Sequence, residues 1–233
     1  MIPLVEYPPA ISSDEVSRAR WAVLRATNTG EDLLGLLAPQ WRPGAAGERL
    51  PGPQRLREGL AARYALSRLV PELTRAASRL SYGVYGQPIL EQSGGVHHVS
   101  LSHSHGAGAA LLADVPCGID LQRLHPNIFK LRQRFETDQE AERVKAAADE
   151  LRALHVLWSA KEALYKTWAK RGLDWRRDIQ VHHLPDPDQT GSSVAAVGHA
   201  RVGLPGERFS ASLYACWIED FCLVAALKTQ PDL

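Results

Sequence analysis

The chain has 233 residues, a mass of 25.6 kDa and a globular composition, 45% hydrophobic and 23% charged. A chain of this length buries about 70% of its unfolded surface, so it needs neither disulfides nor structural metals to fold. With 27 basic against 26 acidic residues the formal charge is +1, which leaves no bulk field to steer the protein onto nucleic acid or an anionic membrane.

Any anionic ligand must therefore meet a local cluster, and the charges are unevenly spread. Residues 1–102 carry 11 Arg, no Lys and 9 acids, whereas residues 103–233 carry 10 Arg, all 6 Lys and 17 acids. Three of the lysines, Lys161, Lys166 and Lys170, fall within ten residues. Cys117, Cys216 and Cys222 are few and irregularly spaced, which argues against a disulfide framework and for a reducing cytoplasm. The opening residues lack the basic and apolar regions of a signal peptide, and the uncharged stretch Gln92–Ala113 is too polar for a membrane span.

In chain order, Ser12 with Glu15 ahead of Val16, Ala19 and Val23 predicts a capped helix over about 13–27. A Pro/Gly-rich connector follows from Pro39 to Pro53. Leu56, Leu60, Tyr64 and Leu69 then predict a helix over about 53–70. The period changes at Gly95, where HHVSLSHS, AALLADV and CGIDLQRL read as three neighbouring strands. Helix returns around 128–149 and over about 150–170, with Ala153, Leu157, Leu164 and Trp168 near one stripe. Four strand-like runs close the chain: IQVHHL, VGHARVGL, ERFSASLYACW and DFCLVAALK, the last two forming a hairpin through Ile218, Glu219 and Asp220. Runs of helix and of strand without steady alternation predict an α+β fold.

Three clusters carry chemistry. Ser102, His103, Ser104 and His105 end a strand, and residues two apart share a face, so His103 and His105 can meet one ligand; ordinary polar strand-end residues are the plainer reading. Asp120 and Gln122 alternate with Ile119 and Leu121, so that if the aliphatics face the core the two oxygen-bearing side chains share the other face, as a magnesium site or as a plain polar one. On the long helix Glu162 and Lys166 are i and i+4, with Lys161 one position round. They form either a surface ion pair or a carboxylate metal ligand flanked by phosphate donors.

The order and spacing of these clusters resemble the Sfp-type 4′-phosphopantetheinyl transferases. The residues that carry the resemblance are Gly86-Gln87-Pro88, Ser102-His103-Ser104, Gly118-Ile119-Asp120, Phe135 with Glu140, Trp158 to Lys166, and Gly172-Leu173. The match runs from about 82 to 173, and the helix around Arg63 to Leu69 is also similar. It implies two similar α/β lobes in a pseudo-twofold arrangement, 1–113 and 114–233, with coenzyme A between them. It also implies transfer of 4′-phosphopantetheine from coenzyme A to a serine of an apo acyl or peptidyl carrier protein, with release of adenosine 3′,5′-bisphosphate. Magnesium is the implied ion and a cytoplasmic monomer suffices; neither nucleic acid nor membrane is implied as a partner.

Under that resemblance Asp120, Glu162 and the weaker donor Gln122 are the expected magnesium ligands. Ser102, His103, Lys161, Lys166 and, from the first lobe, Arg79 are the expected contacts to coenzyme A. Glu140 is the candidate base for the attacking serine, with Asp120, Glu162 and Lys166 completing the catalytic set. Two positions depart from the pattern: Gln122 stands where a second acid is common, and Gln87 where Gly-Lys-Pro has lysine. These departures motivate an alternative, a homologue that binds coenzyme A or a carrier without efficient turnover. A zinc hydrolase built on His103 and His105 is a third reading, but a ligand triad is not visible in the sequence.

Overall fold

The structure is a computed structural model that describes residues 4–7, 19–25, 30–43, 52–70, 77–92, 95–186 and 196–229. The chain divides into two compact units, Met1–Val115 and Pro116–Leu233. Both are α+β.

The first unit is a six-stranded antiparallel sheet of β1 (Leu4–Tyr7), β2 (Ala19–Arg25), β3 (Arg79–Tyr82), β4 (Pro88–Gln92), β5 (Gly95–Ser104) and β6 (Ala107–Ala113), in the order β1-β2-β6-β5-β4-β3. Helices α1 (Gly30–Leu36) and α2 (Pro53–Leu69) accompany it. Gly52 and Pro53 start α2, because proline at the first helical position gives up only a donor that has no intrahelical partner. Leu60, Ala61, Ala65 and Leu66 of α2 pack with Ala22, Leu24, Leu90 and Ala110 of the sheet, and Trp41, fully buried at the end of one 3-10 turn, closes the cluster. Gly108 of β6 is required at this contact, since a Cβ there would lie 2.2 Å from the Ala62 nitrogen.

The helix expected over 13–27 is corrected by β2, with residues 8–18 and 26–29 outside the described set. The run Ala19–Arg25 is covered on both faces, with Trp21 and Val23 buried as well as Ala22 and Leu24. A short apolar run buried on both sides has lost the alternation that distinguishes strand from helix. Of the connector expected over 39–53, Pro39–Trp41 forms the 3-10 turn and residues 44–51 lie outside the described set.

The second unit is a five-stranded antiparallel sheet of β7 (Cys117–Arg123), β8 (Ile179–His183), β9 (Ala196–Leu204), β10 (Glu207–Ile218) and β11 (Phe221–Lys228), in the order β7-β11-β10-β9-β8. The hairpin between β10 and β11 has the expected position, with Ile218 opposite Phe221 and Glu219 turning at φ 55°. Strand β7 is not the neighbour of β6, as the sequence suggested; it pairs with β11, more than ninety residues later. Short strands in succession read as a meander, and only the long-range pairing separates them into two sheets.

Helices α3 (Asp138–Ala146) and α4 (Glu150–Trp168) cover this sheet. The helix expected from 128 begins only at Asp138, after two 3-10 turns at Pro126–Lys130 and Arg132–Arg134. Thr137 and Glu140 form a reciprocal capping box there. Asp149 caps α4 by accepting from the Arg152 N–H, and Ala169 ends it in the left-handed region at φ 55°. Leu157, Ala160, Leu164 and Trp168 of α4 lie in one core with Leu213, Cys222, Val224 and Ala226 of the sheet.

Candidate functional site

Strand β7 alternates in a way that decides the site. Val224, Ala226 and Cys222 lie in the core shared with α4, and their cross-strand partners are Asp120, Gly118 and Gln122. These three therefore share the face towards α4, while Ile119 and Leu121 are buried on the opposite face. Asp120 is not on a polar outer face; it is 2% exposed and lies under a helix. Glycine at 118 makes this possible, because a Cβ there would stand 1.9 Å from the Ala163 carbonyl oxygen of α4.

That close approach brings three charged groups together. Lys166 Nζ donates to Asp120 Oδ1 at 2.9 Å and to the Ile119 carbonyl at 2.7 Å. Lys166 thus pairs with the strand aspartate, where an ion pair with Glu162 along the helix was one expectation. Glu162 is half-buried, and desolvation, then the nearby negative charge of Asp120, raises its carboxyl from 4.5 to about 7 against the opposing pull of Lys166. Two carboxylates beside a partly exposed ammonium offer hard oxygens suited to a cation and a donor suited to an anion. Gln122 is half-buried two residues along the same face.

Lys161 has a different environment. It is fully buried, and its ammonium donates to the Phe135 carbonyl at 2.6 Å and the Trp175 carbonyl at 2.9 Å while pairing with Glu140 at 2.7 Å. Burial lowers its pKa, with the Glu140 charge working the other way. Trp175 stacks with Trp158 and with Tyr165 of α4, at 5.2 and 5.5 Å, and Phe135 meets the edge of Trp158 at 4.9 Å, so the two residues whose carbonyls accept from Lys161 belong to one aromatic cluster. Glu140 is 2% exposed; besides Lys161 it accepts from the Thr137 and Val181 N–H groups. Lys161 and Glu140, expected respectively as a phosphate donor and a base, form an internal ion pair here, and with the Thr137 and Val181 contacts it ties α3, α4 and β8 together.

In the first unit a cavity of about 710 Å³ is lined by residues including Arg55, Glu58, Arg63, Tyr82, His103 and His105. His103 lies on the β5 face that meets α2, and its Nδ1 is 3.1 Å from Glu58 Oε2. Ser102, buried and adjacent on the strand, points to the other face, so it does not join His103 there. Ser104 Oγ bonds the ring of His105, which sits with Gly106 in a two-residue hairpin turn, both at positive φ. Arg79 begins β3, is exposed, and is not among the cavity's lining residues; Arg55 and Arg63 are. Arg63 is partly engaged, donating to the Trp41 carbonyl and lying over the Tyr82 ring. Gln87, outside the lining, accepts from the Tyr85 N–H within the β3–β4 turn.

Sequence reasoning missed Glu58, Arg55 and Trp175. Glu58 and Arg55 carried no local motif, and Trp175 gains its role only through contacts with α4. The donor set of the second unit fits magnesium: two carboxylates and an amide oxygen are hard ligands, and burial together with the neighbouring Asp120 charge raises the Glu162 carboxyl, which a bound cation would favour in its ionised form. No group of three His, Cys, Asp or Glu residues able to hold a metal occurs among the described residues, which leaves the zinc reading without its triad. No described helix is long and apolar enough to cross a membrane, and the three cysteines are free.

Residues 116–217 match the family model of the 4′-phosphopantetheinyl transferase superfamily, a stretch that lies within the second unit and contains Asp120, Glu162 and Lys166. No curated protein matches the chain.

Proposed function

We propose that the protein transfers 4′-phosphopantetheine from coenzyme A to a serine hydroxyl of an acyl or peptidyl carrier protein. The observation that carries this reading is the convergence of Asp120, Glu162 and Lys166 across the β7–α4 contact at Gly118, inside the stretch that matches the superfamily.

In the reaction the serine oxygen forms a bond to the phosphorus next to the pantetheine arm as its hydroxyl proton passes to a base, directly or through water, for which Glu140 is the candidate. The bond from that phosphorus to the bridging oxygen breaks, and adenosine 3′,5′-bisphosphate leaves with the electron pair. The chemistry needs positive charge beside the pyrophosphate as negative charge grows on the leaving group. Lys166 supplies an ammonium with its side chain 28% exposed, able to turn from Asp120 towards a phosphate oxygen. Asp120 and Glu162 would hold magnesium, with Gln122 contributing its carbonyl oxygen or a water; a bound magnesium ion neutralises pyrophosphate charge. Arg55 and His103, on the cavity of the first unit, are suited to the remaining phosphate of coenzyme A.

The test is incubation with coenzyme A, magnesium and an apo carrier protein. The expected result is a carrier mass increase of one phosphopantetheine, with adenosine 3′,5′-bisphosphate released in equal amount. Coenzyme A binding without modification of acyl or peptidyl carriers would favour the non-catalytic alternative, which Gln122 and Gln87 motivate.

A further inference from the structure

The carboxylate of Glu58 is buried, 7% exposed in its side chain, at the wall of a cavity whose other charged lining groups are basic. It is heavily bonded. Its Oε1 accepts from the Gly106 N–H at 2.9 Å and from the Gln54 amide at 3.2 Å, and its Oε2 faces His103 Nδ1 at 3.1 Å. Burial works to raise the carboxyl, but the bonds from Gly106, Gln54 and His103 outweigh it and hold it below its ordinary value. An ionised carboxylate can only accept, so the hydrogen between the two side chains sits on Nδ1 of the imidazole. His103 is 41% exposed, and its Nε2 has no protein partner among the described residues.

We propose that Glu58 is a positioning residue for anion binding: it fixes the ring of His103 through Nδ1 so that Nε2 is presented to a phosphate oxygen of coenzyme A. This rests on the transferase reading only for the identity of the ligand. Once a phosphate oxygen occupies Nε2, the ring lies between two anionic groups, and as an imidazolium it donates to both. The same carboxylate holds the Gly106 N–H, so the β5–β6 turn and the ring are set by one side chain. The arrangement follows the logic of a metal-bound histidine oriented by a carboxylate, with the phosphate in place of the metal. The charged and titratable groups facing His103 are Glu58 and Arg55 from α2, Arg63 beyond them, Tyr82 from β3, and His105 from the turn. Of these, Glu58 is the one with a bond to the ring.

The test is a double-mutant cycle with coenzyme A as the probe, reading the dissociation constant by calorimetry and, in parallel, KM and kcat for carrier modification. Glu58→Gln is expected to weaken coenzyme A binding three- to tenfold and to raise KM by a similar factor with kcat within twofold. In a His103→Ala background the same substitution should have no further effect. Equal weakening in both backgrounds would overturn the proposal, because Glu58 would then act on the fold and not through the ring. A second measurement needs no variant: long-range proton–nitrogen NMR of the neutral His103 ring should find its hydrogen on Nδ1, and a hydrogen on Nε2 would overturn the assignment. If the wild-type protein binds coenzyme A with this coupling but modifies no carrier, the transferase reading fails and the role of Glu58 stands. If carriers are modified but the cycle shows no coupling, the reverse holds.

Discussion

Lys161 and Lys166 are five positions apart on α4 and meet opposite environments, one enclosed by two carbonyls and Glu140, the other reaching Asp120 from a partly exposed position. Substitution should separate them. Lys161→Met leaves Glu140 buried without its cation, and chemical denaturation should show a loss of about 3–5 kcal/mol. The double variant Lys161→Met, Glu140→Gln should recover part of it, since no uncompensated charge remains. Asp120→Ala and Glu162→Ala should instead remain folded and abolish transfer, read as the absence of a carrier mass shift; near-normal rates at saturating magnesium would remove them from the site. Gln122→Glu should lower the magnesium concentration needed for half-maximal rate, because a third carboxylate strengthens a hard-oxygen set.

At the scale of elements, the site depends on how closely α4 approaches β7. Gly118→Ala places a methyl group against the Ala163 carbonyl, 1.9 Å away before relaxation. Forcing helix and strand apart should cost about 1–3 kcal/mol in denaturant titration. It should also reduce transfer at least tenfold in the protein that remains folded, because Asp120 moves relative to Glu162 and Lys166. Gly59 in the interior of α2 is the contrasting case. A Cβ there meets nothing within 4 Å, so Gly59→Ala should raise stability by roughly 0.5–1 kcal/mol through helix propensity.

For the whole molecule, the elevated Glu162 carboxyl makes stability depend on pH in a defined direction. Its folded value of about 7 exceeds the ordinary 4.5, so the folded state holds the proton more tightly. Without magnesium its contribution to stability is fully present below about pH 4.5, is lost as pH rises through 7, and amounts to on the order of 3 kcal/mol. Wild type and Glu162→Gln should therefore melt at similar temperatures near pH 4.5. At pH 8 in chelator the variant should melt higher, and equal melting there would contradict the raised carboxyl. Magnesium should reverse part of the difference by binding only the ionised wild type.

The sequence by itself determined the α+β class, the long helix expected over about 150–170, the β10–β11 hairpin and, through its spacing, the candidacy of Asp120, Glu162 and Lys166. These depend on local periodicity or on motif order, which a chain carries in one dimension. Some of the burial of Lys161 was also legible, since it falls three or four positions from Leu157 and Leu164, on the apolar stripe, although a lysine there reads first as solvent-facing. Only tertiary structure decided that β7 pairs with β11 and not with β6, that Ala19–Arg25 is a strand enclosed on both faces, and that Glu58 holds a histidine 45 positions away. Each of these rests on contacts between residues distant in the chain, whose partners no local pattern specifies. The formal charge of +1 leaves no bulk field and directs an anionic ligand to a local cluster; tertiary structure placed an ammonium beside Asp120 and Glu162 in one unit, and Arg55 and Arg63 on one cavity with His103 in the other.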